Sequence, residues 1–199
     1  MLDLALNHEE ELQKRYRECW FKEKYKYFFN CFSEKLHIEE STWNRMQFVS
    51  LNSSGEVIGF IEYTTDRVNN MVDNLILINF SENIVHKNGK GEIDKSDKIK
   101  FSKNMITFGM DTHHAFSNIF NKFHIRKIQF FVIIGNPIEA TYDAIIKKNG
   151  GRIVGTRHAH VKLYDGNYYD EKIYEIFATD YYKKRQMKQL KSDEIEYIK

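Results

Sequence analysis

The amino-acid sequence predicts an α/β fold of the mixed (α+β) kind, a twisted sheet with helices on both faces. Three observations predict it. The runs "NLILINF" (74–80) and "RKIQFFVII" (126–134) are apolar almost throughout, as in strands buried on both faces. Two stretches, 102–123 and 137–149, carry apolar residues at helical spacing. Two pairs of short strands are joined by the turn compositions "NSSG" and "YDGN", which mark hairpins. Antiparallel strands therefore flank one strand–helix–strand–helix unit, the order of a mixed sheet covered by helices.

The elements follow in order. "LDLAL" suits a short first strand. In "HEEELQKRYRECWFKEKYKYFF" the spacing of Leu12, Tyr16, Cys19, Trp20 and Tyr27 predicts an amphipathic helix. "MQFVSL" and "EVIGFIEY" form the first hairpin, and "NLILINF" is the next strand. The polar stretch "SENIVHKNGKGEIDKSDKIKF" has no apolar period and is expected to be a loop. The helix over 102–123 puts Met105, Phe108, Ala115, Phe116, Ile119 and Phe123 on one face. After "RKIQFFVII" a second helix carries Ile138, Thr141, Tyr142, Ile145 and Ile146 on one side, and Gly150-Gly151 supplies its left-handed stop. "RIVGTRHAHVKL" and "YYDEKIYEIFA" form the closing hairpin. Residues 1–180 are expected to make one domain and 181–199 a charged tail, a solvated or frayed helix.

Composition narrows the function classes. Lys plus Arg total 30 and Asp plus Glu 28, a net charge of +2 over 199 residues, which argues against nucleic acid as a partner. No apolar run approaches the roughly 20 residues that span a bilayer, and the start turns acidic too soon for a signal peptide. Cys19 and Cys31 lack a CxxC spacing and suit reduced thiols in a cytoplasm. His113-His114 cannot easily chelate one ion from a helix, since neighbours point about 100° apart. His158 and His160 share a strand face, but no third ligand follows by spacing.

The order of elements, the segment "GNPIEATYDAIIKKNGGRIVG" and the ending "YDGNYYDEKIYEIF" resemble the GNAT superfamily of N-acetyltransferases. Most of residues 1–180 can be laid on that pattern, with 127–177 the most specific part. The resemblance implies a GNAT-like twisted sheet of six to seven strands and the use of acetyl-CoA as co-substrate. It implies an amine acceptor, a small molecule or a peptide, and leaves a homodimer open. One departure stands out. The family's Arg/Gln-x-x-Gly-x-Gly/Ala turn before the middle helix is missing; "KNGKGE" (87–92) lies about 12 residues too early, and "KFSKN" (100–104) is the nearest substitute.

Candidate site residues follow from these patterns. A helix cap accounts for Asn136 by itself, with Pro137 at the first helical position and Glu139 placed as in a capping box. The resemblance adds contact with the pantetheine arm, lying between the strands that end at Asn79-Phe80 and at Asn136. Ser102, Lys103 and Asn104 open the middle helix, whose free N–H groups and dipole suit a pyrophosphate, with Lys100 adding charge. An ordinary Ser cap with solvated lysines explains the same residues. Tyr142 lies on an apolar helical stripe, as a core tyrosine does; by resemblance it is the general acid that protonates a departing thiolate. An amine nucleophile must lose a proton, and Glu62 or Asp73 could accept it; either could equally be a solvent-facing strand carboxylate. The leading expectation is an acetyl-CoA-dependent N-acetyltransferase. The alternative is a GNAT-like fold without catalysis that serves binding or interaction.

Overall fold

The computed structural model describes residues 1–20, 26–27, 35–81, 102–136 and 138–196. Its sheet has seven strands: β1 (Leu2–Leu4), β2 (Arg45–Leu51), β3 (Val57–Asp66), β4 (Met71–Asn79), β5 (Lys127–Ile133), β6 (Arg152–Lys162) and β7 (Tyr168–Phe177). Their spatial order is β1-β2-β3-β4-β5-β7-β6. Only β4 and β5 pair in parallel among the described residues; every other pair is antiparallel. The hairpin turns fall where the turn compositions put them, with Gly55 and Gly166 at positive φ.

Among the described residues four α-helices cover the sheet: α1 (Glu9–Trp20), α2 (Lys103–Asn121), α3 (Glu139–Asn149) and α4 (Ala178–Glu196). Strand alternation sends the side chains of β2–β4 to two different cores. On one face Leu12, Tyr16 and Cys19 of α1 pack on Val49, Leu51, Phe60 and Ile78. On the other, Phe108, Phe116, Ile119 and Phe120 of α2 pack with Ile61, Leu75, Leu77, Ile128 and Phe130, and Tyr142, Ile146 and Tyr181 extend this core under α3 and α4. The Phe108 ring occupies the place of a Cβ on Gly59, so the close seating of α2 on β3 requires glycine there.

Several expectations need correction. The first helix ends at Trp20 in the described residues, and Tyr27 lies in a short 3-10 turn rather than on its apolar face. Tyr27 packs edge-on against Tyr169 at 5.9 Å, beside the closing hairpin. The tail is helical, as expected, but its start is packed on the core rather than solvated. Helix α4 starts at Ala178, Tyr181 is 1% exposed, and its ring lies 4.6 Å from that of Phe120. Of the predicted loop 81–101, residues 82–101, with Lys100 and "KNGKGE", lie outside the described residues, as do Cys31 and Pro137. Among the described residues no helix is long and apolar enough to cross a membrane.

Candidate active site

The sheet opens between β4 and β5. Their ladder covers only Met71 with Lys127 and Val72 with Ile128. From there both strands run on to their C-terminal ends without further register between them. Alternation decides which backbone groups face the opening. The Phe80 N–H donates to the Ile58 carbonyl, so Phe80, Ile78 and Ile76 turn their backbone groups toward β3. The alternate residues Leu75, Leu77 and Asn79 turn theirs away from β3, into the gap. On β5 the Ile134 N–H donates to the Asp170 carbonyl, so Phe131 and Ile133 turn theirs away from β7, toward the same gap. The gap thus has sheet-type donors and acceptors along both walls, of which the Ile133 carbonyl already accepts from the Asn136 N–H at 3.0 Å.

At the end of β4, Asn79 Oδ1 accepts from the Ser81 N–H at 2.9 Å, which bends the chain out of the sheet. Phe80 is half-buried against the α1-side core. Across the gap, Asn136 is 7% exposed. Its Oδ1 accepts from the Ile138 N–H at 3.1 Å, and its carbonyl accepts from the Glu139 N–H at 2.9 Å. The helix proper starts at Glu139, so Asn136 organises the turn before α3 rather than capping its first residue. Glu139 does reach back, but to the Gly135 N–H at 3.2 Å, one residue before the asparagine. Gly135 needs its left-handed φ of +94°, and a Cβ there would stand 3.1 Å from the Tyr27 hydroxyl.

The α2 start is a plain serine cap. Ser102 Oγ accepts from the Met105 N–H at 3.2 Å. The N–H groups of Lys103 and Asn104 stay without an intrahelical acceptor, as in any first turn, and the Lys103 side chain is exposed.

Glu62 is not a solvent-facing carboxylate; it is 5% exposed. It sits on the α1 face of β3, opposite Gln47 on β2 and Ile76 on β4, one strand from the gap. Arg45 Nη2 lies 3.0 Å from Glu62 Oε1 and donates to Oε2 at 3.1 Å, and Gln47 Nε2 donates to Oε2 at 2.7 Å. Gln47 also donates to the His37 carbonyl and accepts from the Glu39 N–H, while Arg45 Nη1 lies 3.3 Å from Glu39. Oε2 thus accepts two hydrogen bonds, and Oε1 faces the Arg45 guanidinium. Asp73 is exposed in the β4 irregularity, where it accepts from Thr64 Oγ1.

Tyr142 faces the core. It is 4% exposed and lies edge-on to Phe130 at 5.1 Å and to Tyr174 at 6.0 Å. Burial raises the pKa of its phenol, so it stays protonated at neutral pH. Phe130 belongs to β5, one wall of the gap, so Tyr142 stands behind that wall rather than in the opening. Two polar groups went unnoticed in the sequence. Arg45 and Gln47 alternate with Met46 and Phe48, and a glutamine inside an apolar strand signals a buried partner. Asp143, Lys172 and the fully buried Tyr174, whose hydroxyl donates to Asp143 at 2.7 Å, left no local signal because α3 and β7 are far apart in the chain.

No family model matches the sequence, and no curated protein matches it. Solved structures match in fold. A chimera of the Vibrio cholerae spermidine N-acetyltransferase SpeG with hSSAT superposes at TM-score 0.51 and 16% identity, over 87% of this chain and 82% of that one. The Vibrio cholerae spermidine/spermine N-acetyltransferase SpeG crystallised with manganese ions matches at 0.50 and 16%, over 70% and 69%. A second SpeG–hSSAT chimera matches at 0.50 and 18%, over 70% and 69%. The chain has the mixed-sheet fold of these acetyltransferases, the fold that the resemblance implied.

Proposed function

We propose that this protein is an acetyl-CoA-dependent N-acetyltransferase of GNAT type that acylates a primary amine by direct attack. The observation that carries this reading is the β4–β5 gap, where the parallel ladder stops at Val72 and Ile128. Acetyl-CoA, when bound, supplies an acetyl thioester at the end of an amide-bearing arm, and those amides suit a slot with strand-like donors and acceptors. Leu77 and Asn79 would hold the arm from one wall, Phe131 and Ile133 from the other. Asn136 would meet it at the mouth, where its amide N–H₂ remains available, and Phe80 would pack beside it. The Lys103 and Asn104 N–H groups, the Ser102 cap and the Lys103 ammonium would hold the pyrophosphate.

Glu62 would take a proton from the acceptor amine directly or through one water. As the new C–N bond forms and the C–S bond breaks, the departing sulfur takes up a proton; Tyr142 would deliver it by turning its hydroxyl from behind the β5 wall toward the opening. Burial keeps that proton on the phenol until then, and the Tyr142→Phe variant separates this role from a core role. Turnover lowered roughly 100-fold with unchanged CoA affinity supports the acid; normal turnover returns Tyr142 to packing alone. The SpeG neighbours are named for spermidine, so a polyamine heads the acceptor panel, followed by other small-molecule and peptide amines.

The second reading, a binding protein without catalysis, is favoured by the α2 start. There Ser102 consumes the Met105 N–H and no glycine allows close backbone approach to phosphate. The test incubates the protein with acetyl-CoA and the amine panel and reads acceptor mass. An acetyl mass shift that needs the protein supports the enzyme. Binding of CoA without transfer to any amine supports the second reading.

A further inference from the structure

The turn that carries Asn136 is anchored from β7. Lys172 Nζ contacts Glu139 Oε1 and lies 3.5 Å from Asp143 Oδ1. Glu139 Oε2 accepts from the Gly135 N–H at 3.2 Å, immediately before Asn136. The chain of contacts thus runs from a strand in the sheet, through one ion pair, to the backbone at the mouth of the gap. The side chains of Lys172 and Glu139 are 15% and 23% exposed, so water and salt screen the pair less than a surface bridge. Lys172 also separates two carboxylates. Glu139 and Asp143 stand one helical turn apart, where like charges repel. Without the ammonium between them, Glu139 gains by turning to water, and the Gly135 N–H loses its acceptor.

Resting on the acetyl-CoA reading above, we propose that Lys172 and Glu139 are positioning residues that hold the Gly135-Asn136 turn so that the Asn136 amide meets the pantetheine arm. Neither residue touches the donor. Their effect is on the arm alone, because the nucleotide end is assigned to the α2 start, an element they do not contact.

The experiment measures the affinity of the full chain for CoA and for adenosine bisphosphate, the nucleotide half of CoA without the arm. Lys172→Met raises the CoA dissociation constant about tenfold, as loss of one charge-assisted contact does. It leaves the adenosine bisphosphate constant unchanged. Lys172→Arg restores most of the CoA affinity. Glu139→Gln keeps an acceptor for the Gly135 N–H, causes a smaller rise in the same direction, and serves as the second variant should Lys172→Met fail to fold. Unchanged CoA affinity in both variants overturns the proposal, and so does equal weakening of both ligands, which marks general loosening of the structure. A wild-type chain that binds no CoA overturns the donor reading and this proposal together; wild-type binding with unaffected variants overturns this proposal alone.

Discussion

The two helix starts that flank the gap are built in opposite ways. Helix α2 begins with a local device, Ser102 Oγ on the Met105 N–H, three residues away. Helix α3 begins with a device that spans the fold, Gly135 N–H to Glu139 to Lys172 on β7. A local cap leaves the start exposed and adaptable, which suits a site for a charged group in solvent. A long-range anchor fixes the start against the sheet, which suits a residue such as Asn136 that must meet a ligand at one place. Substitutions at α2 should therefore act singly and weakly, while those at α3 should propagate into the core and the turn.

The strongest way to break this contrast is Phe130→Ala. Phe130 lies beneath Tyr142 and stacks on Tyr174 at 5.1 Å, so α3 loses its seat. Urea unfolding should show a loss of about 3–5 kcal/mol. Alkaline pH is the next test. Burial raises the phenol pKa values of Tyr142 and Tyr174, and the Glu139 carboxylate raises that of Lys172. Groups raised in the folded state contribute stability that is whole below their unfolded values, about pH 10, and is lost as pH climbs through the folded ones. Amide exchange above about pH 10 should loosen α3 before the α2 start. Gly135→Ala forces a side chain into left-handed backbone beside the Tyr27 hydroxyl and should cost about 1–2 kcal/mol in thermal unfolding. Ser102→Ala removes one cap, about 1 kcal/mol, without disturbing α3. Lys103→Glu should change stability by less than about 0.5 kcal/mol and weaken CoA binding in a salt-dependent manner.

The same contrast explains what could be seen in the sequence. The succession of elements along the chain, both hairpins, the α2 cap and the apolar runs of β4 and β5 rest on residues within a few positions of one another and are legible in the sequence. The site was legible only where it is local. Asn136 and Glu139 were recognisable as helix-start residues, but the Glu139 partner on the backbone is Gly135, and its counter-charge, Lys172, is 33 residues away in the chain. Glu62 looked like a strand carboxylate facing water because its burial comes from Arg45 and Gln47 on another strand. Tyr142 was placed on the correct helix face, yet which side of β5 that face meets depends on the sheet twist, which no local pattern encodes.

Everything proposed for this protein depends on the β4–β5 gap binding CoA through backbone groups. Amide hydrogen exchange, with and without CoA, tests it residue by residue. The account predicts new protection at Leu77, Asn79, Phe131 and Ile133, with none at the buried ladder of β2 and β3. Protection confined to other residues, or none at all at CoA concentrations that saturate binding, would contradict it.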